Sequence, residues 1–154
     1  MDYSIALNRA ASLCSQSEKA PQDIYRKALT WGLDEPDAER LVARLIEEHF
    51  IDEERYARAF VNDKFRFAHW GRVKVSAALR AKGIPENIIS IAFDEKIEEE
   101  DYLQTCRDLL ANRMKGMSLP LSQPDRARLF RFAAQRGFEM SVISRALSEL
   151  LSQR

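Results

Sequence analysis

The chain has 154 residues, 45% of them hydrophobic and 31% charged, and its 24 basic and 24 acidic side chains cancel to a formal net charge of zero. That size supports a packed core near that of one ordinary domain, and five glycines and five prolines are too few for a low-complexity chain. There is no apolar run of about 18 residues, and the start MDYSIALNRAASLCS lacks a basic, continuously apolar leader, so the expectation is a cytoplasmic protein with no membrane partner.

Taken in chain order, apolar residues recur at three- and four-residue steps almost throughout, and no alternation of period two is sustained. The expected class is all-α. Residues 4–15 form a first amphipathic segment, and a helix then leads to Gly32 and another leaves it. The same series returns with segments at 52–67 and 98–114, each followed by a pair of helices around Gly83 and Gly137. With the three glycines superposed, an aliphatic residue stands eight positions before each (Ile24, Val75, Leu129). Ala28, Leu79 or Ala133 stands four before, and Leu33, Ile84 or Phe138 one after. The match continues six after the glycine, with Ala38, Ile89 and Ile143, and ten after, with Val42, Phe93 and Leu147. Such offsets describe a helix, a glycine-closed turn with an apolar anchor, and a second helix. Pro21 and Pro85 suit first helical turns, Gly71 suits a helix start, and SLPLSQPD (118–125) breaks the chain at an expected hinge. The predicted architecture is three tandem three-helix repeats, 1–50, 51–97 and 98–154, stacked into an elongated, curved body because each unit alone is too small to bury its apolar face.

Neutral charge conceals segregation. Residues 34–54 carry nine acids against two bases, a balance of −7, whereas residues 55–83 carry eight bases against Asp63, a balance of +7. Residues 94–101 are acidic again, and 126–145 hold five arginines against Glu139. The acidic runs at 52–54 and 98–101 suit the positive ends of helix dipoles. Blocks of one sign speak of surfaces and partners rather than of fold.

Catalytic patterns are missing: there is no glycine-rich phosphate loop, no HExxH and no GxSxG. Cys14 and Cys106 lie far apart among apolar residues and read as buried thiols, and with His49 and His69 they offer no standard zinc spacing. The expectation is a protein that is not an enzyme and that takes no metal or cofactor. Aromatic and basic residues are instead concentrated in FRFAHWGRVKVSAALRAKGI (65–84). If a helix runs from Gly71, Val75, Ala78 and Leu79 face the core and Arg72, Lys74, Arg80 and Lys82 lie on other faces, near Lys64 and Arg66 of the preceding helix. Phe65, Phe67, His69 and Trp70 mark the junction, and two readings of them stay open. Phe67 and Trp70 are wedges between helices, or they are stacking platforms beside phosphate-binding charges. Arg126, Arg131 and Arg136, with Arg128, form a second basic set. Arg72 and Arg126 both lie eleven positions before their glycines and Lys82 and Arg136 both lie one before, so regular stacking aligns them into a stripe.

The segment FIDEERYARAFVNDKFRFAHWGRVKVSAALRAKGIPENIISIAF resembles the RecX family of RecA regulators. The resemblance rests on Asp52, Glu53, Arg55, Tyr56, Ala57, Gly71, Val75, Leu79, Lys82, Gly83 and Ile84, and QRGFEMSVISRAL is similar to the family's C-terminal ending. It implies a non-enzymatic protein whose partners are the RecA recombinase and its nucleoprotein filament; apart from the resemblance, the expected oligomeric state is a monomer. It also implies seating in the filament groove and inhibition of RecA's ATPase, strand-exchange and co-protease activities, with effects on homologous recombination, DNA repair and the SOS response. Under this reading Lys64, Arg66, Arg72, Lys74, Arg80, Lys82, Arg126, Arg131 and Arg136 bind the RecA–DNA filament, with direct contact to single- or double-stranded DNA. The alternative is a helix-turn-helix-like protein that binds DNA without RecA, recognisable by strong salt dependence.

Overall fold

The computed structural model describes residues 1–153; Arg154, the last residue of the predicted third repeat, lies outside the described residues. The described residues form nine helices and no strand, as the periodicity predicts: α1 (Tyr3–Gln16), α2 (Pro21–Thr30), α3 (Glu35–Glu47), α4 (Glu53–Arg66), α5 (Arg72–Ala81), α6 (Glu86–Lys96), α7 (Glu99–Met114), α8 (Gln123–Gln135) and α9 (Met140–Ser152). The segments expected at 4–15, 52–67 and 98–114 are α1, α4 and α7.

The repeated offsets have a hydrogen-bonding cause. After α2 the Gly32 amide donates to Leu29 O at 3.0 Å and the Leu33 amide to Ala28 O at 3.1 Å. After α5, Gly83 donates to Arg80 and Ile84 to Leu79; after α8, Gly137 donates to Ala134 and Phe138 to Ala133. This is a Schellman closure made three times. The residues four before and one after the glycine are the two that the second bond joins, and all six are buried. The glycines carry φ of 81 to 99°, the left-handed region. Helix starts are equally local: Asp34, Asp52 and Ser122 accept main-chain amides of α3, α4 and α8 through their side chains. Pro85 is not in the first turn of α6 but just before it, its carbonyl accepting from Ile89 N at 3.1 Å.

The chain divides into two compact units, Met1–Phe60 with Leu79–Ala92, and Val61–Ala78 with the segment from Phe93 onward, so α4, α5 and α6 contribute to both. In the first unit α1, α2 and α3 pack on one another around Ala6, Ala10, Cys14, Ile24, Ala28, Leu33, Leu41, Leu45 and Ile51. In the second, α7 packs on α8 and α9, and buried Tyr102 lies against Phe65 and Phe138, with ring centroids 5.8 and 5.1 Å away. Among the described residues no helix is long and apolar enough to cross a membrane.

Candidate functional site

The motif residues singled out in sequence have clear structural tasks. Asp52 caps α4, accepting from Glu54 N and Arg55 N at 2.9 and 3.1 Å. Arg55 donates from Nε to both carboxylate oxygens of Glu18 and from Nη2 to the carbonyls of His49 and Phe50, which pins the turn between α3 and α4. His49 stands there with φ of 63°. Ala57, Val75, Leu79 and Ile84 are buried, and Tyr56 lies part-buried against Phe60. Glu53 lines an acidic cleft with Asp52 and Glu54; burial first, and the charge of Asp52 second, push its carboxyl upward. Gly71 is the tightest point. Its amide donates to Arg136 O at 2.7 Å and Val73 N to Gly137 O at 2.9 Å, so the start of α5 lies backbone to backbone on the turn after α8.

The nine basic residues do not share one environment. Arg72 pairs with Glu139 at 3.0 Å and with Glu99, and its guanidinium carbon sits 3.8 Å from the Tyr102 ring centroid. The Tyr102 hydroxyl donates to Glu139 and accepts from Arg72 N at 2.9 Å, and burial followed by the bond to Glu139 drives its pKa up. Arg80 pairs with Glu86, and Lys82 Nζ lies 3.0 Å from both oxygens of Asp23. Arg66 donates to Lys96 O and faces Asp101 at 3.8 Å, while Arg136 donates to Ala68 O. Positions equivalent in sequence therefore do unlike jobs: Arg72 is clamped between carboxylates where Arg126 is exposed.

Lys64 and Lys74 are brought together. Their ammonium groups lie 4.7 and 4.3 Å from the Trp70 ring centroid, two cations over one aromatic ring. Trp70 is part-buried and Phe67 is 78% exposed, so of the two readings of the junction aromatics the wedge is not what Phe67 does. Phe65 is the buried one, stacked on Tyr102. His69 has φ of 57° and closes the turn after α4. A feature not legible in sequence is a cleft in the second unit where Arg113 of α7 meets Arg128 and Arg131 of α8 beside Phe132. Arg113 lies 15 or more positions before the residues of α8 that it meets, and no local pattern reports that meeting. Among the described residues no group of three or more His, Cys, Asp or Glu side chains is placed to hold a metal ion.

Comparison with known proteins gives this arrangement a context. The family models for the second and third three-helix domains of RecX match residues 52–92 and 99–147. A regulatory protein RecX from Cronobacter sakazakii is 30% identical over 151 residues, covering 92% of this chain and 89% of its own. That of Vibrio campbellii is 28% identical over 139 residues, covering 90% and 87%. The crystal structure of RecX from Lactobacillus salivarius superposes with a TM-score of 0.82 at 20% identity, over 96% of both chains, and so shares the fold. The tandem three-helix models and the near full-length likeness together place this chain in the RecX family of regulatory proteins.

Proposed function

We propose that this chain acts in the cytoplasm as a regulator of the RecA recombinase, binding RecA and the RecA–DNA filament and inhibiting its ATPase, strand-exchange and co-protease activities. The observation that carries the reading is likeness along 92% of the chain to a protein named as a RecX regulator. The filament contact is assigned to the nine basic residues of the sequence analysis, in two roles. Lys64 and Lys74, whose ammonium groups lie over the Trp70 ring, offer charge, exposed Phe67 offers an aromatic face, and Arg126 and Arg131 add exposed charge on α8. Arg66, Arg72, Arg80, Lys82 and Arg136 hold their units in shape through the ion pairs and carbonyl bonds above and contribute field rather than direct contact. The protein needs no cofactor for this: association itself blocks the filament.

The test is RecA's single-strand-dependent ATPase rate with this protein titrated in, beside Lys74→Glu/Arg126→Glu/Arg131→Glu. The expected outcome is a fall with the native chain at substoichiometric amounts and a much weaker fall with the variant, at unchanged helix content. No fall with the native chain sinks the proposal. Equal falls remove these cations from the mechanism.

A further inference from the structure

Three arginines converge on one small space in the second unit. Arg113, in the last turn of α7, and Arg128 and Arg131 of α8 line a cleft of about 170 Å³ with Phe132 and Gln135, and no carboxylate lines it. The compensation available is partial. Arg128 pairs with Asp125 one turn earlier, and the Arg113 and Arg136 guanidinium carbons lie 4.5 and 5.3 Å from the Phe132 ring centroid. Arg131 has no acidic partner among the described residues, and its side chain is exposed. Like charges gathered around one cavity repel, and an anion seated between them relieves that repulsion.

The chemistry of the lining narrows the anion. A phosphoryl group has several oxygens on one centre, more than one guanidinium saturates, and planar forks from different helices can each take a pair or share one. Gln135 adds an amide donor at the rim. The Phe132 face is already occupied by guanidinium groups, so the site offers a base no stacking platform. The cleft is open to solvent and has room for one phosphate and its ester oxygens, with any remainder of the ligand outside.

We propose that the Arg113, Arg128 and Arg131 cleft is a phosphate-binding site, taking either a phosphodiester of a nucleic-acid backbone or a free phosphate compound. The inference does not depend on RecA. It gives the filament reading a phosphate contact but stands or falls without the recombinase.

The experiment uses the full chain without RecA, compared with Arg113→Gln/Arg128→Gln/Arg131→Gln, with the single Arg131→Gln, and with a control that removes equal charge in the first unit, R26Q/K27Q/R40Q. Helix content and thermal midpoint establish folding, and the single variant keeps the test alive if the triple one does not fold. Two probes are used, single-stranded oligo(dT) over a salt series and inorganic pyrophosphate in thermal unfolding. For the backbone source, the triple variant lowers the log–log salt slope by about 0.7, which against a 1 M reference is roughly fivefold in affinity at 0.1 M salt. For the free-compound source, pyrophosphate raises the midpoint of the native chain and not that of the triple variant. Either result supports the site and names its source. If native and triple variant behave alike with both probes, or if the control matches the triple variant, there is no phosphate site here.

Discussion

Replacing Gly71 with alanine tests the packing around which the second unit is arranged. A Cβ at this position would lie 2.4 Å from both C and O of Gly137 and 2.5 Å from Phe138 N, all main-chain atoms that no rotamer change can move aside. Relief requires α5 to withdraw from the turn after α8, and with it go the Gly71 N–Arg136 O and Val73 N–Gly137 O bonds. Two main-chain bonds at about 1 kcal/mol each and an overpacking cost of about 1–3 kcal/mol give an expected loss of about 3–5 kcal/mol. Gly116→Ala is the comparator in the same unit: its Cβ meets nothing within 4 Å, but φ is +87°. That variant loses only the conformational term, about 1 kcal/mol. Urea unfolding followed by tryptophan fluorescence in a Trp31→Phe background makes Trp70 the reporter of the second unit. If Gly71→Ala costs no more than Gly116→Ala, the close backbone approach is not what requires glycine, and the reasoning is refuted.

Other consequences follow from the same contacts. Tyr102→Phe removes a buried hydroxyl that both donates to Glu139 and accepts from Arg72 N, and is expected to lower stability by about 1–3 kcal/mol in urea titration. Arg55→Lys keeps the charge but loses the fork that joins Glu18 to two carbonyls; a fall of about 1–2 kcal/mol in the first unit is expected, and no change would assign the motif arginine to a partner instead. His69→Gly relieves a left-handed side chain after α4 and should raise stability by about 0.5–1 kcal/mol, less any added freedom of the unfolded chain. Burial pushes the Cys106 thiol up to about 12. The folded state therefore holds its proton more tightly than the unfolded one: this contribution is complete below the ordinary thiol pKa and is lost as pH rises from there towards 12. At neutral pH an alkylating reagent should modify Cys106 only on unfolding, and rapid labelling of the native chain would contradict its burial.

Much of the architecture was legible because its causes are short-ranged. A helix writes its period into every few residues, and a Schellman turn joins residues five apart, so Ala28 with Leu33, Leu79 with Ile84 and Ala133 with Phe138 can be found by aligning three glycines. The caps at Asp34, Asp52 and Ser122 are likewise local. Gly71 was visible as a helix start, but not as a residue facing Gly137, since that approach is a fact about two segments 66 residues apart.

The basic residues show where such reading ends. In sequence, Arg72, Lys74, Arg80 and Lys82 are equivalent charges on one helix, and a net excess over 55–83 makes them look available. In three dimensions Arg72 meets Glu139 from 67 positions away and Lys82 meets Asp23 from 59, whereas Lys74 shares Trp70 with Lys64. The sequence by itself determined the all-helical class, the repeat and its turns, because hydrogen bonds and apolar periodicity act over a few residues. Only the tertiary structure decided which charges hold the fold and which face outward, because an ion pair depends on distance in space, and the chain brings acid to base across intervals that no local pattern encodes.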